Sequence, residues 1–356
     1  MNIALITSQL SIGGAEKMVC HLAQGLQRRG HRVTVIAGGG IFGPKLREAG
    51  LEVIDLPLSA KWKWLFPVVW RQLYYLLRSQ NYDIVHVHTA PLAFFLRVIQ
   101  RLGGIEAGTV LTLHGSPAWK LKLTRFLLKS LRLKRCAVSP ALAQLTSAYY
   151  IPNAVEIEPT PANIQHPAFK RGTQTDSQYL TVGIIARLAP EKGLDLWLKA
   201  LGMLAQEGVR VKTLIAGDGP ERTKLEQEGI TCGQEVVFYG FLTNPWQVMH
   251  EIDLLVLPSR REGEPLTLLE GMARGKPVLA AEVGGIPPLL AGGAGILAEP
   301  SAAGLARALK EFLALTSRQK EAMIALGRSR VAARTWDHCL DSYEQVYSEA
   351  GSGQGD

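Results

Sequence analysis

The sequence predicts an α/β protein made of two doubly wound parallel-sheet domains in tandem. Three observations carry this reading. Short apolar runs alternate with amphipathic stretches over most of the 356 residues, which is the pattern of repeated βα units. The alternation breaks between Pro152 and Gln178, a stretch rich in Pro, Asn, Gln and Thr without any period, and then restarts. A chain of this length is also expected to hold about two domains.

The elements follow in order. Ile3–Thr7 is an apolar strand, followed by S-Q-L-S-I-G-G and a helical pattern from Ala15 to Arg29 that Gly30 ends. Further strands are H-R-V-T-V-I-A, then residues 83–88, 109–114 and 134–139. After the aperiodic stretch, read as a hinge or linker, come Y-L-T-V-G-I-I-A, V-K-T-L-I-A-G, E-V-V-F-Y-G, D-L-L-V-L-P and K-P-V-L-A-A. From Ser301 the pattern is helical to about Ser348, and the final G-S-G-Q-G-D reads as a frayed tail. The expected boundaries are 1–155 and 179–335 for the domains and 156–178 for the linker, with a helix at about 336–350 packing back on the first domain. Sheets of this kind bind ligands at the carboxyl ends of their strands, so two facing sheets would place a site in the cleft between them.

Composition narrows the class. The chain is 47% hydrophobic and 20% charged, ordinary for a globular protein. No run approaches ~18 apolar residues, so no membrane-spanning helix is expected. The N-terminus lacks a basic region and cleavage site and reads as a first strand rather than a signal peptide. Cys20, Cys136, Cys232 and Cys339 are scattered, which fits reduced cytosolic thiols and neither a disulfide frame nor a zinc site. Residues 1–155 hold 19 Lys+Arg against 6 Asp+Glu, and residues 156–356 hold 20 against 25. A basic front half suggests an anionic partner there.

Three motifs carry chemistry. In S-R-R-E-G-E-P-L-T-L-L-E-G-M-A-R-G-K-P, from Ser259, an apolar strand runs into a turn, with Pro265 expected at the first helical position and the helix reaching about Arg274 before Gly275. A helix start offers free N–H groups and partial positive charge, which suits a phosphate. Glu262 and Glu270 have seven residues between them. Glu270 would lie roughly 7.5 Å along the helix axis, so the two carboxylates could grip hydroxyls on separate parts of one extended polyol. Spacing alone favours two surface glutamates, one on each side of a turn. In G-I-I-A-R-L-A-P-E-K-G, Arg187 and Lys192 sit on the loop after a strand, a planar fork and a compact charge able to hold phosphate oxygens or simply to be solvated. I-A-G-D-G-P, containing Gly217, is a third strand, glycine turn and helix start.

Together with V-G-G-I-P and the N-terminal S-I-G-G-A-E-K, these motifs resemble the retaining glycosyltransferases of family 4, over about Ile3 to Ala298. The resemblance implies the GT-B fold, two Rossmann-like doubly wound domains facing across a cleft. It implies transfer of a sugar from a nucleotide-diphosphate sugar donor to an acceptor with retention of anomeric configuration, by a front-face displacement. Arg187 and Lys192 match the pair that holds the donor diphosphate, Glu262 the residue on donor-sugar hydroxyls, and Glu270 the residue on the ribose. Gly263, Glu264, Pro265 and Leu266 match the turn offering backbone N–H groups, and Gly217 the second glycine turn. His114 in T-L-H-G-S matches the first-domain histidine that contacts the donor sugar, and Gly13 and Gly14 the glycine loop near diphosphate and acceptor. The expected catalytic set is therefore Glu262, His114, Arg187 and Lys192. No D-x-D motif is present, so no metal or other cofactor is expected.

Three positions and one segment depart from the family pattern. Glu264 stands where an apolar residue is common, Pro288 where Glu often follows V-G-G-I-P, and Ala154 where Gly usually follows P-N; residues 141–150 are also short. Glu264 could crowd the donor phosphate or engage the helix end. These departures bear on donor specificity. Base recognition is expected near Tyr239–Leu242, largely through backbone. His86 and His88 alternate on one strand and, with no third ligand nearby in sequence, read as ordinary strand-end residues rather than a metal pair.

The basic front half has a local source. Residues 119–135 contain seven basic residues and no acidic one, with Lys122, Arg125, Lys129 and Arg132 on one helical face and Leu123, Leu127 and Leu131 opposite. Residues 61–78 are also free of acids and rich in Trp and Tyr. Such stretches suit an anionic membrane surface, or they form a domain core with solvated charges. The first expectation is a cytoplasmic enzyme, peripheral at the inner face of a membrane, acting on a lipid-linked or other glycan acceptor. The alternatives are a soluble enzyme making a small glycoside and a non-catalytic nucleotide-sugar-binding protein. No nucleic-acid reader motif appears, and no strand is followed by G-x-G-x-x-G, which disfavours an NAD-linked oxidoreductase.

Overall fold

The computed structural model describes residues 1–11, 13–58, 67–114, 133–156, 179–242 and 244–352. Most of the basic 119–135 stretch, residues 61–66 and all but the first residue of the expected linker lie outside the described residues. The chain divides into two compact units, 1–154 with 336–356, and 155–335.

The first unit contains β1 (Asn2–Ile6), α1 (Gly14–Arg28), β2 (Arg32–Ala37), α2 (Phe42–Glu48), β3 (Glu52–Asp55), α3 (Pro67–Gln80), β4 (Ile84–Val87), α4 (Ala90–Gly103), β5 (Gly108–Leu113), β6 (Lys134–Ala137), α5 (Pro140–Thr146) and β7 (Tyr149–Tyr150). Its strands lie in the order β3-β2-β1-β4-β5-β6-β7 and all pair in parallel. The central strands are apolar on both faces because both faces are covered. Leu5, Val35 and Val110 belong to one core with Met18, Leu22 and Leu26 of α1. Ala4, Val85 and Leu111 belong to another with Leu73 of α3 and Leu92 and Leu96 of α4. The spacing Met18, Leu22, Leu26 is the single buried stripe of an amphipathic helix.

The second unit contains β8 (Leu180–Ile185), a 3₁₀ turn (Pro190–Lys192), α6 (Leu194–Gln206), β9 (Val211–Ala216), α7 (Arg222–Thr231), β10 (Glu235–Gly240), α8 (Trp246–Glu251), β11 (Leu254–Leu257), α9 (Leu266–Ala273), β12 (Val278–Ala281), α10 (Ile286–Leu290), β13 (Ile296–Ala298), α11 (Ala302–Ala314) and α12 (Ser317–Val331). Its parallel sheet runs β10-β9-β8-β11-β12-β13. Trp197 of α6 is fully buried, and its indole N–H donates to Thr213 Oγ1 at 3.2 Å.

The helical C-terminal stretch from Ala302 is three helices, the first two with a readable start. Ser301 caps α11 by accepting from Gly304 N, and Thr316 and Gln319 form a capping box at α12. The last, α13 (Trp336–Ser352), belongs to the first unit. Leu340, Tyr343 and Tyr347 bury against the β1–β4–β5 face beside α1. Arg29 holds the same helix from outside, with Nη1 2.6 Å from both Asp341 and Glu344.

In each sheet the order reverses once, between β1 and β4 and between β8 and β11. At such a point neighbouring loops diverge and open a crevice beyond the strand ends.

Candidate functional site

In the second unit the reversal point brings two loops together. The loop after β8 carries Arg187 and Lys192, and the loop after β11 carries Ser259, Glu262 and the turn into α9. Lys192 Nζ lies 2.7 Å from Glu262 Oε1, and Ser259 Oγ donates to the same oxygen at 2.7 Å. The Glu262 side chain is only 9% exposed, so this carboxylate is held by two donors in a largely desolvated setting. Neither donor contacts Oε2.

The loops are fastened by residues that carry no motif signature. Arg260 makes a two-pronged contact to Asp195, 2.6 Å on each side, and donates to the Pro190 carbonyl. The Arg260 hydrogen bonds hold the Asp195 carboxyl below its usual range. Arg187 is 45% exposed and pairs with Glu191 rather than with Glu262. Burial works to raise the Glu191 carboxyl, but its own backbone N–H and the Arg187 guanidinium outweigh burial and leave it lowered.

The turn Gly263–Leu266 differs from expectation by one position. Pro265 has extended ψ (121°) and occupies the cap, and α9 begins at Leu266. The Pro265 carbonyl accepts from Leu268 N at 3.1 Å, which leaves the N–H groups of Leu266 and Thr267 ahead of the first helical bond. Thr267 Oγ1 ties the helix start to the end of β8 through the Ile185 carbonyl. Glu270 lies one turn into α9 with 9% exposure. Glu264 turns inward: its side chain is 2% exposed and Oε1 stands 2.7 Å from Arg334 Nη1. What Glu264 can present to a ligand is therefore its backbone.

Glycines let the loops nest. Gly217 has φ +147°, and a Cβ there would overlap the Ala186 carbonyl; its N–H donates to Gly240 O at 2.8 Å. Gly284 of V-G-G-I-P has φ +56° and sits against the Glu262 carbonyl, while Gly285 N donates to Gly263 O at 2.8 Å. That motif is thus the brace under the E-G-E-P turn.

The first unit holds the other sequence candidates. His114 follows β5 directly, and its Nε2 is 3.0 Å from His88 Nδ1. His86 bonds Tyr347 Oη at 2.7 Å and Thr112 Oγ1 at 2.8 Å. His88 follows β4 directly and lies two residues from His86 with the ring centroids 4.2 Å apart, and the fold brings His114 beside them, a neighbour that sequence distance concealed. Among the described residues no group of His, Cys, Asp or Glu is arranged to hold a metal. Burial lowers the His114 imidazole to about 4, and burial together with the His114 charge lowers His86 to about 3. All three rings are therefore neutral near pH 7. Gly13 precedes α1 with φ 178°, extended backbone open to any residue, and a Cβ there would meet only the Glu16 carboxylate. Gly14 opens α1 and is exposed.

Sequence reasoning missed Ser259, Arg260, Asp195 and Arg334. Ser259 was readable, being the P-S-R residue immediately after β11. Arg334 lies 70 residues from Glu264 and had no local signal.

Residues 12–165 match the family model Glycosyltransferase Family 4, and residues 166–330 match Glycosyl transferases group 1. The chain is similar to one component of the human phosphatidylinositol N-acetylglucosaminyltransferase, 27% identical over 95% of this chain and 73% of that one. It is also similar to the N-acetyl-alpha-D-glucosaminyl L-malate synthase of Bacillus anthracis, 28% identical over 80% of each. Among solved structures, Anabaena HepE in complex with UDP-glucose superposes with a TM-score of 0.80 at 21% identity, covering 98% of this chain and 100% of that one. WaaG, a glycosyltransferase involved in lipopolysaccharide biosynthesis, superposes at 0.70 with 17% identity, covering 99% and 100%. With both halves matched in succession and the two parallel sheets of the GT-B fold in place, the chain belongs to the group 1, family 4 glycosyltransferases and uses a nucleotide-sugar donor.

Proposed function

We propose that the protein moves a hexose from a nucleoside-diphosphate sugar to a lipid-linked or membrane-associated glycan, with retention of anomeric configuration and without a metal. The observation that carries the reading is the Lys192–Glu262 contact at the β8/β11 reversal point. Lys192 and Arg187 hold the diphosphate. Glu262, with Oε1 already occupied, offers Oε2 to a donor-sugar hydroxyl. Backbone N–H groups at Gly263–Leu266 and the α9 start face the phosphate and sugar, Glu270 takes the ribose, and Gly217 admits the diphosphate close to backbone. His114 contacts the donor sugar, and Gly13–Gly14 line the approach of diphosphate and acceptor. The second unit is thus the nucleotide-sugar domain and the first the acceptor domain. As the glycosidic bond breaks, negative charge grows on the leaving diphosphate, and fixed cations and a helix start stabilise that charge more than they stabilise the ground state.

The lipid-linked acceptor is supported by the names of relatives: one belongs to a phosphatidylinositol N-acetylglucosaminyltransferase, and an Escherichia coli relative is a diphosphoundecaprenol galactosyltransferase, 25% identical over 60% of this chain. It is also supported by α3, which exposes Val68 and Tyr75 beside Arg71 and Arg78. No helix among the described residues is long and apolar enough to cross a membrane, so the proposed attachment is peripheral. The Bacillus anthracis relative is named for an L-malate product, which favours a second reading, a soluble small acceptor.

A thermal-shift panel of UDP-, GDP- and ADP-sugars identifies the donor, and transfer assays with Glu262→Ala, Arg187→Ala and Lys192→Ala test the site. Wild-type turnover in all three variants would overturn it. Transfer that survives EDTA is expected. Cosedimentation with anionic but not neutral vesicles separates the membrane reading from the soluble one.

A further inference from the structure

Arg334 joins three separated stretches of chain. Its Nη1 lies 2.7 Å from Glu264 Oε1, in the middle of the E-G-E-P turn. Its carbonyl accepts from Val155 N at 2.9 Å, and its own N–H donates to Val331 O at the end of α12. The two places where the chain passes from one unit to the other are 154/155 and 335/336. One residue therefore pins the turn and both crossings, by its guanidinium on one side and its peptide on the other.

The contact is buried, with side-chain exposures of 14% for Arg334 and 2% for Glu264. A carboxylate so far from water is retained only with a charged partner. Its position is then dictated by that partner, because a buried ion pair has few alternative arrangements. Glu264 is flanked by Gly263, whose carbonyl is braced by Gly285, and by Pro265, which fixes φ. Moving the Glu264 side chain therefore moves the peptide groups on either side. An apolar residue at 264 would fill the same space without this ion pair to position 334.

We propose that Arg334 is a positioning residue which, through Glu264, sets the conformation of the Gly263–Leu266 turn and couples that turn to the two inter-unit crossings. The inference rests on the assignment of this turn to the donor. The coupling is tested first without ligand, by hydrogen exchange on three proteins: Arg334→Met, the charge-free double variant Glu264→Leu/Arg334→Met, and the conservative Arg334→Lys. The double variant leaves no stranded carboxylate, so it separates positioning from loss of fold. Its amides at Gly263, Glu264, Leu266, Thr267 and Val155 are expected to exchange at least tenfold faster than wild type while β8 and β9 amides hold, and Arg334→Lys is expected to stay near wild type. Unchanged exchange at the turn in the folded double variant would overturn the coupling. Titration with UDP, GDP and ADP follows. The nucleotide that binds wild type is expected to bind the double variant about tenfold more weakly, and the donor KM to rise in proportion with little change in kcat. Wild type binding none of the three would overturn the donor assignment, and the exchange result still decides the coupling.

Discussion

Lys192 and Glu262 come from two loops 70 residues apart in sequence and meet at 2.7 Å where the order of the second sheet reverses. The pairing gives Glu262 a fixed direction before any ligand arrives. It also gives Lys192 a counter-ion that restrains the ammonium without neutralising everything around it. If this is where the diphosphate binds, as proposed, a site prepared in this way needs little reorganisation, which is where fixed charges contribute most to rate.

Lys192→Ala is accordingly expected to lower kcat/KM by about 10²–10³, the usual cost of losing one preorganised charge-stabilising donor. It also leaves Glu262 with only the Ser259 hydrogen bond, at a stability cost of about 1–3 kcal/mol. Glu262→Gln keeps the shape and should be nearly neutral in denaturant unfolding while still impairing transfer. Equal losses of stability and activity in the two variants would mean that the pair is structural.

Arg187 gives the opposite expectation for its partner. The Arg187–Glu191 pair is half exposed and so contributes little to the fold, at most about 1 kcal/mol. Yet Glu191 competes with any phosphate for the guanidinium. Glu191→Ala should tighten nucleoside-diphosphate binding by up to about fivefold, most visibly at low salt, and leave the denaturation midpoint nearly unchanged. Weaker binding in this variant would show that Glu191 orients Arg187 rather than masking it.

Glycine substitutions sort the nested loops from the open one. Ala at Gly217 or Gly284 requires a positive φ and drives a methyl into the carbonyl of Ala186 or Glu262. Each is expected to cost about 2 kcal/mol or more and to weaken donor binding at least tenfold. Gly13→Ala meets only the movable end of Glu16 and should be tolerated in stability, so any loss of transfer there reports ligand approach. Calorimetric unfolding alongside nucleotide titration reads both quantities.

Much of the fold was legible because parallel strands buried on both faces write themselves as continuous apolar runs, as in Ile3–Ile6 and Leu254–Leu257. The short β3, with a mixed burial pattern, and the two-residue β7 gave no such run. In the site, Glu262, Lys192 and Pro265 stood in local motifs, and the start of α9 was displaced by one residue only because Pro265 keeps an extended ψ. The inward turn of Glu264 was not legible, since its partner Arg334 is fixed by tertiary packing rather than by spacing. The His86–His88–His114 cluster was half visible: alternation at the end of β4 showed two rings, and only strand pairing brought the third.

That cluster makes a prediction about acid. His86, His88 and His114 are neutral in the folded protein because burial lowers all three, with neighbouring histidines adding to the effect at His86 and His88, to about 3 for His86 and about 4 for His114. Unfolded histidines take up a proton near pH 6.5. The sign follows from linkage. The unfolded state binds more protons than the fold below that value, so the contribution of these groups is complete above about pH 6.5. It is lost as pH falls from there toward the folded values of about 3–4. Each ring can add up to about 1.4 kcal/mol per pH unit to the slope. The window from pH 6.5 to 5 lies above most carboxylates, so the histidine term stands out there. The groups around His86, namely Tyr343 and Tyr347 from α13 and Thr112 from β5, are hydroxyls that do not titrate in this range. Urea unfolding at several pH values should show stability falling steeply through this window for wild type, and His88→Asn, which offers no titrating ring, should remove about one third of that slope. An unchanged slope in His88→Asn would mean that His88 takes up its proton in the fold as readily as in the unfolded chain, and would remove the basis for treating His114 as a neutral hydrogen-bonding group toward the donor.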